Sequence, residues 1–241
     1  MIVLMSAFLL LSAFSCGGGN KANSTSEQSE ETAVNVPQFD ADSAYLYVKN
    51  QVDFGPRVPN TKEHVACGNY LAGQLEAFGA QVTNQYADLI AYDGTLLKAR
   101  NIIGSYKPES KKRIALFAHW DTRPWADNDP DEKNHNTPIL GANDGASGVG
   151  ALLEIARLVN QQQPELGIDI ILLDAEDYGA PQFYTGQHKE EFWCLGSQYW
   201  ARNPHVQGYN ARFGILLDMA VSCTHLRAHE TAANLVCRLL L

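Results

Sequence analysis

Apolar residues at 149, 152, 153, 156 and 159 recur at the spacing of one helical face, so the segment GVGALLEIARLVN (148–160) is predicted to be a helix packed on one side. Two earlier stretches carry the same period. DADSAYLYVKNQVDFG (40–55) reads as a helix capped by Asp40 or Asp42, and KEHVACGNYLAGQLEAFGA (62–80) as a second that ends near Gly79. Between them PRVPNT is extended, because each proline disfavours helix in the residue before it. QVTNQYADLIAY, LKARNIIGSY and KRIALFAHW read as strands, and so do IDIILLDA and ARFGILLDM; CLGSQYWARN reads as a helix. KRIALFAHW and IDIILLDA are nearly continuous apolar runs, the kind that a strand covered on both faces requires. Strands alternating with helices predict an α/β domain, a mixed, mostly parallel sheet flanked by helices.

The pattern changes outside residues 39–220. MIVLMSAFLLLSAFSC (1–16) is an apolar run that ends in small residues and a cysteine, too short to span a membrane. It is similar to a bacterial lipoprotein signal, with Cys16 as the lipid-bearing residue and an exported, periplasmic or outer-membrane-anchored protein as the expectation. Residues 17–38 open on GGGNKANSTSEQSEET, which holds no large apolar side chain and reads as a flexible tether. Residues 221–241 follow the last strand with no turn signal and end on an uncapped apolar run, so they are expected to lie outside the domain and to leave its sheet incomplete on the C-terminal side.

Composition narrows the function. The net charge of −9 supplies no basic stripe for phosphates, which argues against nucleic acid as a partner. The sequence has five cysteines and no CxxC spacing, so a structural zinc knuckle is excluded. Cys67 and Cys194, each on a predicted helix, read as buried free thiols.

The chemistry gathers where buried strands end. IALFAHWD ends in His119 and Asp121, IILLDAED in Glu176 and Asp177, and GILLD in Asp218; LGANDGASG sets Asp144 in a glycine-rich turn before a helix. In an open α/β sheet ligands bind beyond the carboxyl ends of the strands, so these groups are expected to converge. Singly each has a plainer explanation: Asp144 as a helix cap, Asp218 as a turn residue, His119 and Asp121 as a hydrogen-bonded pair, Glu176 and Asp177 as a solvated loop. Together they would repel one another unless a cation lay among them. Carboxylates and imidazole without thiolate suit a catalytic zinc with an open position. Gly141, Gly145 and Gly148 fit a backbone that must approach something closely. Asp174, by contrast, is assigned to the strand end and its hydrogen bonds.

The order HxD, ND with glycines, ED, then LLD resembles the zinc-dependent aminopeptidase and glutaminyl cyclase superfamily. FGPRVPNT, AHWDTRPWAD, GANDGASGVGALLEIARL, LLDAEDYG, WCLGSQYWA and GILLDM resemble segments of bacterial glutaminyl-peptide cyclotransferases in the right order. The resemblance implies Asp144 and Asp177 as zinc ligands, the latter where the family commonly has glutamate. It implies Glu176 as the general acid/base and Asp218 as the residue that orients the substrate amine. It also implies one zinc ion, peptide or protein N-termini as substrates, and conversion of N-terminal glutamine to pyroglutamate. The alternatives are an aminopeptidase with two zinc ions, in which His119 becomes a ligand, and an inactive peptide-binding lipoprotein. The family's remaining ligand is a histidine several tens of residues beyond the Asp218 position. His225 and His229 lie only seven and eleven residues beyond it, so that ligand is expected to be missing from this chain. Trp120, Trp125, Phe183, Tyr184 and Trp193 are candidates for the wall of an apolar pocket.

Overall fold

The computed structural model describes residues 36–220. The leader with Cys16, the tether as far as residue 35, and the tail with His225 and His229 lie outside the described residues. Two helices open the domain, α1 (Ala41–Val52) and α2 (Lys62–Ala77), followed by strands β1 (Gln81–Ile90), β2 (Leu96–Tyr106) and β3 (Arg113–His119). Helix α3 (Ala146–Gln161), strand β4 (Gly167–Leu173), helix α4 (Leu195–Arg202) and the short strand β5 (Gly214–Leu216) complete it. Asp40, of the two candidates, caps α1, its carboxylate accepting the Asp42 and Ser43 N–H groups. Thr61 caps α2.

The sheet order is β1-β2-β4-β3-β5. Strand β2 is antiparallel to both β1 and β4, whereas β3 runs parallel to β4 and β5, so four of the five strands point one way. The alternation of side chains assigns each face. Ile102, Leu116, Ala118, Ile170 and Leu172 join the cluster built on α2 and α3, which takes in Val149, Leu152, Leu153, Ala156 and Val159, the whole predicted face of α3. Ile103, Ala115, Ile171 and Leu173 turn the other way and pack with Trp200 of α4. Both faces are covered, which is why β3 and β4 read as continuous apolar runs.

The last strand is shorter than ARFGILLDM suggests. Its backbone meets β3 from Arg212 N–H, on the Arg113 carbonyl, to Leu217 N–H, on the Phe117 carbonyl. The chain then leaves the ladder, and Met219 adopts a left-handed φ of 44°. Asp218 therefore stands at the point where the strand departs.

Candidate active site

Strands β3, β4 and β5 are neighbours and parallel, so their carboxyl ends share one edge of the sheet, and the polar residues that follow them meet there. His119, the last residue of β3, is the hub. Its Nε2 lies 2.9 Å from Asp144 Oδ1 and 3.5 Å from Asp218 Oδ1; its Nδ1 lies 3.4 Å from Asp121 Oδ1 and 3.7 Å from Glu176 Oε2. Burial opposes charge on this imidazole, but bonds to Asp121, Asp144 and Asp218 and the nearby Glu176 charge prevail and raise its pKa well above the ordinary value.

Asp121 is completely buried and sets the turn after β4. Its two oxygens accept the backbone N–H groups of Glu176 and Asp177, each at 3.1 Å. Burial would raise this carboxyl, yet His119 and those N–H groups hold it below the usual range. Asp174 occupies the strand end as expected: it is fully buried, bonded to His64 Nε2 at 2.8 and 3.0 Å, and accepts the Arg100 N–H. Residues 174–176 are also clamped from α4, because the N–H groups of Cys194, Leu195 and Gly196 donate to the carbonyls of Glu176, Ala175 and Asp174.

Asp144 is not a helix cap. Gly145 holds the capping position of α3 at φ 90° and no side chain caps the helix. The Asp144 carboxylate is free to take His119 instead. The glycines around it serve close approach: a Cβ on Gly148 would strike the Leu217 carbonyl, one on Gly145 would come within 2.8 Å of the Asp121 carbonyl, and one on Gly141 would meet the Thr122 methyl.

The carboxylates after β4 carry the electrostatic burden. Burial raises the Glu176 carboxyl, helped by Asp121 and Asp218 and opposed by His119. Burial, then Asp144, Glu176 and Asp121, push Asp177 up to about 8. His119 holds Asp218 below the usual range. Asp177 Oδ2 is buried without a hydrogen-bond partner, and Asp218 Oδ1, also buried, has no nearer partner than the His119 imidazole at 3.5 Å. Such orphaned oxygens are costly in a folded protein, and a divalent cation would satisfy them. The donors fit one. Among the described residues, Asp144, His119 and Asp218 offer ligand atoms all within 4.8 Å of one another; Asp177, the other ligand expected from sequence, lies outside that set and shares with Asp144 the lining of a cavity of about 320 Å³.

Several contributors were given no place at the site from sequence. Arg57 is buried and donates to the carbonyls of Trp120, Leu140 and Gly141, tying the end of β3 to the Asp144 turn; its only signal was a charge between two prolines. Cys194 is a half-buried free thiol whose Sγ lies 3.4 Å from Glu176 Oε1. Arg123 lines the cavity with Trp193. Among the proposed wall aromatics, Trp193 faces the cavity, whereas Trp120 is wholly buried in the core, stacked on His64 at 4.3 Å. Trp125 and Tyr184 pack edge-on against Tyr92, and Phe183 stacks on His135.

Comparison with known proteins agrees with this arrangement. A glutaminyl cyclase from Bacteroides thetaiotaomicron, solved with N-acetylhistamine bound, is 94% identical with a TM-score of 0.76 over 77% of this chain and 63% of its own. A leucine aminopeptidase precursor from the same organism gives 94%, 0.76, 77% and 64%. A glutaminyl cyclase from Tannerella forsythia is 60% identical, with a TM-score of 0.74 over 76% of this chain and 62% of its own. The chain thus spans less than two thirds of the length of each. The model of Peptidase family M28 matches residues 101–233, more than half of the sequence and all of the convergent groups from His119 to Asp218, and the chain belongs to that family.

Proposed function

We propose that the protein converts an N-terminal glutamine of peptides to pyroglutamate with release of ammonia, using one zinc ion with Asp144 and Asp177 among its ligands. The family, the all-oxygen-and-imidazole donor set and the likeness to two glutaminyl cyclases support this reading. The likeness to an aminopeptidase precursor is as strong as that to the first cyclase, and His119, Asp144 and Asp218 could also hold a metal ion, so the product formed decides between the two activities. The carrying observation is the buried Asp177 Oδ2 without a hydrogen-bond partner beside Glu176, whose own carboxyl is raised by burial.

Zinc, when bound, supplies a Lewis acid for the glutamine side-chain carbonyl. The substrate's own amine is the nucleophile, so the chain needs only to orient it and move its proton. Glu176 accepts that proton as the new carbon–nitrogen bond forms and returns it to the departing ammonia. A carboxyl raised by burial suits both halves of the exchange. Asp218, ionised beside His119, orients the amine. Trp193 helps to keep out water, which would otherwise hydrolyse the amide to glutamate. Residues 1–16 are proposed to export the protein and to anchor it through Cys16.

The test is the product formed by purified full-length protein from a Gln-initiated peptide. Ammonia loss with every residue retained is the expected mass change; loss of the first residue would establish the peptidase instead, and two zinc ions per chain would count against the cyclase.

A further inference from the structure

Arg123, on the loop after β3, commits its whole guanidinium to neighbours without touching a site carboxylate. Nε and Nη2 grip the two oxygens of Asp127 at 2.7 and 2.5 Å, a forked ion pair that is almost fully buried. Nη1 donates to the Asp177 carbonyl at 3.1 Å, and Nη2 reaches the Ala180 carbonyl at 3.5 Å. The guanidinium carbon lies 4.9 Å from the Trp193 ring centre and 5.8 Å from that of Trp125. Asp127 also accepts the Gln182 N–H at 2.8 Å. The Trp193 ring rests on Gly179, where a Cβ would occupy the ring's own space.

The pair therefore joins three separate stretches: its own loop, residues 177–182, and Trp193. All three contribute to the cavity beside Asp144 and Asp177. Glu176, in contrast, is held by Asp121 and Cys194 and owes nothing to Arg123. We infer that Arg123 and Asp127 form a positioning pair that fixes Trp193 and the 177–182 loop as the wall of the substrate cavity and so sets how tightly the substrate's N-terminal side chain is held. The inference rests on the proposed cyclase reading for the identity of that side chain, but not for the positioning itself.

Two measurements on the full-length protein test it. Amide hydrogen exchange over residues 178–193 reads the wall whether or not the protein turns over substrate. Arg123→Lys keeps the charge but loses the planar fork, and Asp127→Asn keeps the shape but loses the charge. Both are expected to speed exchange there while leaving β3 and β4 protected. Steady-state kinetics on a Gln-initiated peptide should show KM raised about tenfold or more with kcat within about threefold, the split expected when binding geometry alone is lost. Unchanged exchange overturns the proposal, and so does faster exchange with unchanged KM. Should the wild type form no pyroglutamate, the cyclase reading falls and the exchange result alone decides the positioning claim.

Discussion

Strand β4 carries buried carboxylates at both ends, and the two ends are built on opposite principles. Near its start, Asp169 has all it can use: a forked pair with Arg113 at 2.6 and 2.8 Å, the Ser105 hydroxyl at 2.7 Å and the Tyr209 hydroxyl at 2.7 Å. Burial alone would raise that carboxyl, but these donors outweigh it and keep it below the usual range. Past the other end, Glu176 and Asp177 lie among further carboxylates, and Asp177 keeps a buried oxygen with no partner. One strand thus shows what a satisfied buried charge looks like and what an unsatisfied one looks like. Asp174, just past the same end as Glu176, is as fully paired by His64 and the Arg100 N–H, so the shortfall is confined to carboxylates of the site, where a bound cation would make it good.

Exchanging charge for shape at each end should separate the two roles most sharply. Glu176→Gln is expected to lower pyroglutamate formation by roughly 10²–10⁴-fold, the range of general acid–base catalysis, with unfolding unchanged. Asp169→Asn should do the reverse. Removing one partner of a buried pair costs about 3–5 kcal/mol, so denaturant midpoints should fall while turnover per folded molecule holds. If Asp169→Asn silenced the folded enzyme, or Glu176→Gln destabilised it comparably, the division between the two ends would collapse.

Much of this contrast was legible in the sequence, for reasons that differ by residue. The α3 face and the buried runs of β3 and β4 follow from periodicity, which reports burial directly. His119, Asp144, Glu176, Asp177 and Asp218 were legible because parallel strands bring their carboxyl ends to one edge. Trp120 misled because a tryptophan beside a strand end gives no sign of which side it faces; in the fold it turns inward onto His64. Arg57 and Arg123 were silent because they also hold main-chain carbonyls tens of positions away, which have no sequence signature, and Cys194 read only as a buried thiol because nothing in the sequence places it beside Glu176, 18 positions earlier. Asp169 was passed over as one polar letter in an apolar run, its partner Arg113 lying 56 positions earlier.

The two ends should also answer pH and metal in opposite directions. Asp169 has a depressed carboxyl, so its stabilisation is present above the unfolded value of about 3.9 and is lost as pH falls through the lower folded value. Asp177 is raised to about 8, so metal-free protein should lose stability as pH climbs from about 4 towards 8, where the folded chain must give up a proton that it holds more tightly than the unfolded one. Zinc should cancel that loss by favouring the ionised carboxylate, seen as a melting temperature that rises with zinc at pH 8. In Asp177→Asn both the pH-dependent loss and most of the zinc response should vanish. A wild-type melting temperature indifferent to zinc across that range would leave the crowded carboxylates without the cation that accounts for them.

The smallest expected effect concerns the donor that Glu176 does have. Where Asp169 is met by a guanidinium and two hydroxyls, the Glu176 carboxylate is met by the Cys194 thiol at 3.4 Å, and a thiol is a weak donor. Cys194→Ala removes that bond but leaves the Cys194 N–H on the Glu176 carbonyl, since the main chain supplies it. Loss of one weak bond is worth about 1 kcal/mol or less, so turnover should fall by about fivefold at most, with Cys194→Ser restoring part of it. A strong donor at this position would hold the carboxylate in its ionised form and hinder its return of the proton to ammonia. Loose tethering suits the alternation between two protonation states proposed for Glu176, and the firm grip on Asp169 suits a residue that stays ionised. If Cys194→Ala proved as damaging as Glu176→Gln, orientation by the thiol would be a principal part of the chemistry, and the site end of β4 would be far less sparely held than its hydrogen bonds indicate.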